Sequence, residues 1–233
     1  MTIDEALQRF NRKERYWLLR NALDPASSTL GLPFRKALGA TLAGVKIPKH
    51  AGWAMDYHLD WLVGALALYQ NRAVIGVAES NAGSLVHGHH EDIDLVVAFG
   101  STLILIEAKG DTAWNNKQLN TKLDRLEAIL GDALSDRPGA HRLSVYFVLM
   151  SQTQPTKLSR SRERNWPAWM LNADQQLRWT PLRMGNEGQP PNFLKVVRCS
   201  ADNGAVSREG GCWKMQPTDP ADRGEGLGAC CGQ

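Results

Sequence analysis

The sequence predicts an α/β protein in which a sheet lies between layers of helix. Three observations carry that prediction. Two strongly apolar runs, "DIDLVVAF" and "TLILIEAKG", are separated only by Gly100 and Ser101; a third run, "HRLSVYFVLMS", follows; and stretches of helical periodicity lie before and between them. With 233 residues and 43% hydrophobic content, the chain can bury one sizeable core with an appended subdomain.

The elements follow in order. Residues 2–23 place Ala6, Leu7, Phe10, Tyr16, Trp17, Leu18 and Leu19 on an apolar stripe beside the basic Arg9, Arg12, Lys13 and Arg15, which predicts a helix. "DPASSTLGLP" interrupts it, and "PFRKALGATLAGV" restarts a helix with proline in its first turn. Residues 53–71 read as a third helix, with Met55, Leu59, Leu62 and Leu66 inward and Asp56 and Asp60 four apart on a neighbouring stripe. "RAVIGVAES" reads as a strand, and "NAGSLVHGHH" as a turn-rich loop. The Gly100-Ser101 connection predicts an antiparallel hairpin from the next two runs. Residues 111–134 read as an amphipathic helix with Leu119, Leu123, Leu126, Ile129 and Leu130 inward, and "HRLSVYFVLMS" as a buried strand.

Beyond Ser151 the periodicity weakens. "PTKLSRSRERNWPAWM" interleaves basic residues with tryptophan, and "FLKVVRCS" and "GGCWKM" predict a peripheral hairpin. The expected organisation is an N-terminal helical extension (1–50), a core (51–152), a basic C-terminal subdomain (153–215) and a disordered Pro/Gly-rich tail (216–233).

Composition narrows the function classes. The net charge of +3 is mildly basic and compatible with nucleic acid. No apolar run reaches a membrane span, and the charged first residues lack a signal-peptide core. Cys199, Cys212, Cys230 and Cys231 have neither a disulfide-framework nor a zinc spacing, so reduced thiols in a cytoplasmic protein are expected.

Chemistry concentrates at the charged ends of the central hairpin. Alternation puts Glu107 and Lys109 on the face of Leu103 and Leu105, with Ile104, Ile106 and Ala108 opposite. A carboxylate and an ammonium on a strand covered on both faces are costly to desolvate unless paired or bound to an ion. The turn register sets Asp94 opposite Glu107, with Cβ atoms about 5 Å apart, and a hard divalent cation between two carboxylates would remove their repulsion. The plainer alternative is a Glu107–Lys109 ion pair with Asp94 capping a turn.

Asp94 followed by Glu107-Ala108-Lys109 on consecutive strands resembles the PD-(D/E)XK nuclease superfamily, the restriction-endonuclease-like fold. The order helix, three strands, helix, strand over residues 53–151 resembles that family's core, a mixed sheet flanked by helices. The motif departs in having Ile93 before Asp94 where the family often has proline. The resemblance implies a metal-dependent nuclease acting on DNA, or RNA, in restriction, defence or repair, with homodimers as one way to cut two strands. It implies Mg²⁺ or Mn²⁺ held by Asp94, Glu107 and the Ala108 carbonyl, with Lys109 serving the attacking water.

It further implies a helix acid, Asp60 in preference to Asp56, and Gln118 near the phosphate, with Lys117 and Lys122 beside it. The bland readings are a solvated face for the two acids and an ordinary surface glutamine. Arg160, Arg162 and Arg164, with Trp166, Trp169 and Trp179, would follow a phosphate backbone, or the tryptophans would belong to the core. His87, His89 and His90 lack a distal partner pair and read as a surface loop, and Glu79 as a solvent-facing acid. A nuclease-like binding module without catalysis is the rival reading.

Overall fold

The computed structural model describes residues 1–10, 29–81, 85–88, 91–110, 114, 116–134, 141–155, 158, 166–183 and 194–217. Its centre is a five-stranded mixed sheet in the order β1-β2-β3-β4-β5. The strands are β1 (Gly52–His58), β2 (Asp92–Phe99), β3 (Thr102–Lys109), β4 (Ser144–Ser151) and β5 (Trp179–Pro181). β1, β2 and β3 run antiparallel in sequence, whereas β4 and β5 run parallel to β3. The helices are α1 (Ile3–Gln8), α2 (Leu32–Thr41), α3 (Leu59–Tyr69) and α4 (Asn116–Ala133). A parallel neighbour requires a crossover, and α4 supplies the one between β3 and β4.

Both faces of the sheet are covered, which explains the unbroken apolar content of β3 and β4. On one face Leu103 and Leu105 pack with α1, α3 and α4 through Leu7, Leu62, Leu66, Leu123 and Leu126. On the other, Ile104, Ile106 and Val148 pack against Leu38 and Leu42 of α2 and its surroundings. The first fifty residues, expected to form an extension, thus supply part of both cores: Ile3 and Leu38 are fully buried. α1 begins with a capping box in which the Thr2 hydroxyl accepts the Glu5 N–H and the Glu5 carboxylate accepts the Thr2 N–H. α2 has its proline in the first turn, as expected.

Two elements differ from expectation. Residues 53–71 are not one helix but strand β1 followed by α3. The apolar positions 55, 59, 62 and 66 happen to keep a helical spacing across the junction, and the N-cap His58 makes no side-chain capping bond that would mark it. "RAVIGVAES" is irregular chain outside the sheet with one turn at Ile75 and Gly76, and Val74, Ile75 and Val77 are all more than half exposed. Its β-branched residues find no strand to pair with, and propensity alone does not make a strand.

The segment after β4 also contributes to the main body. Trp166 and Met170 are buried in the core under α3 and α4, Trp169 and Trp179 pack against it, and β5 extends the sheet. The core reading therefore holds for these tryptophans in place of a nucleic-acid platform. Separate from the main sheet is a two-stranded hairpin, β6 (Leu194–Cys199) with β7 (Cys212–Pro217), which matches the peripheral hairpin expected there. Residues 218–233, most of the Pro/Gly-rich tail, lie outside the described residues. No described helix is long and apolar enough to cross a membrane.

Candidate functional site

The β2–β3 hairpin turns through Gly100, whose φ of +54° supplies the left-handed geometry that a two-residue turn with glycine at its first position requires. The resulting register pairs Leu95 with Ile106 and Phe99 with Thr102. Continued by one residue, it sets Asp94 opposite Glu107. The ladder bonds stop there and a side chain takes over: the Ala108 N–H donates to Asp94 Oδ2 at 2.6 Å. Backbone N–H and C=O of one strand residue project to the same edge, so the Ala108 carbonyl is also directed to the Asp94 side.

Glu107 continues the face of Leu103 and Leu105, and its side chain meets α4. Lys122 Nζ lies 2.6 Å from Glu107 Oε2 and donates, at the same distance, to the Asp92 carbonyl. Burial raises the Glu107 pKa; Lys122 opposes that shift, nearby Asp94 reinforces it, and Lys109 opposes it more weakly. Two carboxylates and two ammonium groups therefore share one electrostatic neighbourhood at the end of the sheet. Lys109 pairs in register with Ser151, whose hydroxyl accepts from the indole N–H of Trp114 at 3.0 Å and of Trp179 at 3.1 Å. These bonds fix the strand ends beside Lys109.

The two aspartates expected on one helix are separated by the β1–α3 boundary. Asp60 sits in the first turn of α3, and its carboxylate accepts the His87 N–H at 3.0 Å, the Gly88 N–H at 2.8 Å and the Arg125 guanidinium. Burial alone would raise its pKa, but these N–H donors and the Arg125 charge hold it below the usual aspartate range. Arg125 also reaches Glu91 at 3.4 Å. Asp60 is thus engaged in a staple between α3, α4 and the 85–88 loop.

Asp56 lies on β1, where the register that pairs Met55 with Leu95 and Tyr57 with Ile93 leaves it opposite Asp94. Its φ of +47° breaks the ladder at that level, a left-handed conformation that aspartate tolerates better than most residues. The register thus brings Asp56, rather than the preferred Asp60, to the level of Asp94. Beyond this point Tyr57 is re-aimed into the core and donates its hydroxyl proton to the Leu7 carbonyl at 2.9 Å.

Lys122, expected beside Lys117 at the phosphate, is instead the buried ion-pair partner of Glu107, with 13% of its side chain exposed. Gln118 and Lys117 lie on the first turn of α4, with side chains outside the described residues, as are Arg160, Arg162, Arg164, His89 and His90. The residues missed from sequence are Arg125 and the pair His58–Asp92, cross-strand partners 3.3 Å apart. Lys122 and Arg125, three apart and flanking the Leu119-Leu123-Leu126 stripe, were the available signal: cations at the border of a buried helix face require anions across from them.

Among the described residues no group of three His, Cys, Asp or Glu side chains converges as an ion-holding cluster. Mg²⁺ does not need one, because it retains several waters and is commonly held by one or two carboxylates. Asp94 and Glu107 are two carboxylates at this end of the sheet; burial raises the pKa of Glu107, and Lys122 opposes that shift. Comparison of the chain with protein-family models, with curated proteins and with solved structures finds no match.

Proposed function

We propose that the chain is a metal-dependent nuclease of the PD-(D/E)XK type, hydrolysing phosphodiester bonds in DNA. The observation that carries the reading is the hydrogen bond from the Ala108 N–H to Asp94 Oδ2, just past the Leu95–Ile106 pair, which ties Asp94 to the Glu107-Ala108-Lys109 end of β3. The element order supports it: an antiparallel meander β1-β2-β3, a crossover helix and a parallel β4, preceded by α2, resembles the core of the restriction-endonuclease-like fold, with α3 as an insertion after the first strand.

A divalent ion at that end of β3 would supply Lewis-acid polarisation of the phosphate and a lowered water pKa. Asp94 and Glu107 would hold it from opposite strands, Asp94 kept in place by the Ala108 N–H. Lys109 would orient the attacking water or offset charge growing on the phosphate. Asp56, which the β1 register leaves at the level of Asp94, would be the acid to join them.

The test is cleavage of supercoiled plasmid and of single-stranded DNA with Mg²⁺, with Mn²⁺ and with EDTA. Wild type cleaves with metal and is silent in EDTA, and Glu107→Ala and Lys109→Ala each lose about 100-fold or more of that activity. One observation favours a second reading, a nuclease-like binding module without catalysis: Lys122 gives Glu107 a cation from within the chain. That reading predicts DNA binding that is unchanged by EDTA and is accompanied by no cleavage with any metal.

A further inference from the structure

The hairpin β6–β7 forms a sheet of its own. An isolated two-stranded hairpin is marginally stable in water unless one face is covered. Its register pairs Val196 with Met215 and Arg198 with Trp213, and alternation puts these four side chains on one face. That face is open: Val196 is 67% exposed, Trp213 66% and Met215 63%. Scattered single apolar residues are normal on a surface, whereas three large ones side by side mark an interaction site.

The scaffold under this face is ordered by its own hydrogen bonds. Arg198 Nε–H donates to the Gly210 carbonyl at 3.0 Å, Lys214 Nζ to the Gly204 carbonyl at 2.7 Å, and the Ser207 N–H to the Arg198 carbonyl at 3.0 Å. Trp213 is therefore presented from a fixed strand, which lowers the entropic cost of binding on it.

Charge selects the occupant. On the open face the cation beside Trp213 is Arg198, whereas Lys214, opposite Val197, lies on the other face. The segment from β6 through β7 as a whole is net +2, with Lys195, Arg198, Arg208 and Lys214 against Asp202 and Glu209. Two copies meeting face to face would bring like charges together, whereas a polyanion is attracted. An arginine paired across the strands with an exposed tryptophan combines a phosphate contact with a stacking surface. Stacking on an indole needs a free base face, which only an unpaired strand offers.

We propose that the open face of the β6–β7 hairpin docks single-stranded nucleic acid, a base stacking on Trp213 and a phosphate lying on Arg198. The inference rests on the reading of the chain as acting on nucleic acid. Its test separates the two by measuring binding in EDTA, where no metal-dependent cleavage occurs. The probe is a fluorescein-labelled single strand of about twenty nucleotides, long enough to span more than one stacking position. A duplex of the same sequence is the control, and binding to each is followed by anisotropy.

Trp213→Ala weakens single-strand binding by about 5- to 150-fold, the range that corresponds to one lost stacked base, and Trp213→Phe recovers most of it. Arg198→Ala lowers the slope of log affinity against log salt by about 0.7. Circular dichroism of each variant verifies the fold. Single-strand binding that is unchanged in both Trp213→Ala and Trp213→Phe overturns the proposal. So does binding confined to the duplex, or a self-association in sedimentation velocity that disappears with Trp213→Ala, which would make a second copy the occupant. A wild type that cleaves nothing but binds through Trp213 sinks the nuclease reading alone; a wild type that cleaves while Trp213→Ala binds normally sinks this proposal alone.

Discussion

Glu107 is where the residue scale decides most. A carboxylate 7% exposed on a central strand is tolerable only because Lys122 stands against it, and burial still leaves its pKa raised. A raised folded-state pKa means that the folded chain keeps a proton which the unfolded chain has already lost. Stability in EDTA therefore falls as pH rises from the ordinary glutamate range through the higher folded value. Urea unfolding across that range is expected to show this loss in wild type and not in Glu107→Gln, whose amide does not titrate. The position of Glu107 was legible in the sequence, since the Gly100-Ser101 turn and the two-residue period fix the register. Its partner was not, because nothing in the chain order of α4 says which turn of the helix lies over the end of β3.

At the element scale, the junction of β1 and α3 is what separates Asp56 from Asp60. Read as one helix, the two acids share a stripe; folded, one faces β2 and the other anchors a loop. The strand alternation of Trp53, Met55 and Tyr57 was present in the sequence but was overridden by the accidental helical spacing of the larger apolar residues. The Asp60–Arg125–Glu91 staple spans 65 positions of sequence between Asp60 and Arg125, beyond any periodicity argument. Arg125→Ala leaves Asp60 and Glu91 together without their cation. Since both carboxylates keep some contact with water, the expected loss is near the lower end of the roughly 3–5 kcal/mol seen when a buried pair is broken. Hydrogen exchange at the His87 and Gly88 amides, which donate to Asp60, should accelerate in that variant by more than exchange in β3.

At the scale of the whole molecule, one sheet with two covered faces brings distant segments to one end. The N-terminal helices, read from sequence as an extension, close both cores, because an amphipathic stripe reveals that a helix packs but not on what. The alternation of helix and strand from α2 to β4 was legible as an α/β layering, and the mixed strand order follows from one tight turn and one helical crossover. The consequence for function is that β2 and β3 bring Asp94 and Lys109 into the electrostatic surroundings of Glu107 at one end of the sheet, where the proposed ion would bind. Calorimetric titration of the whole chain with Mg²⁺, repeated with Asp94→Asn and Glu107→Gln, tests that most directly. One ion bound per chain, with binding lost in both variants, is the predicted result; no uptake by wild type, or uptake that both variants retain, would contradict it.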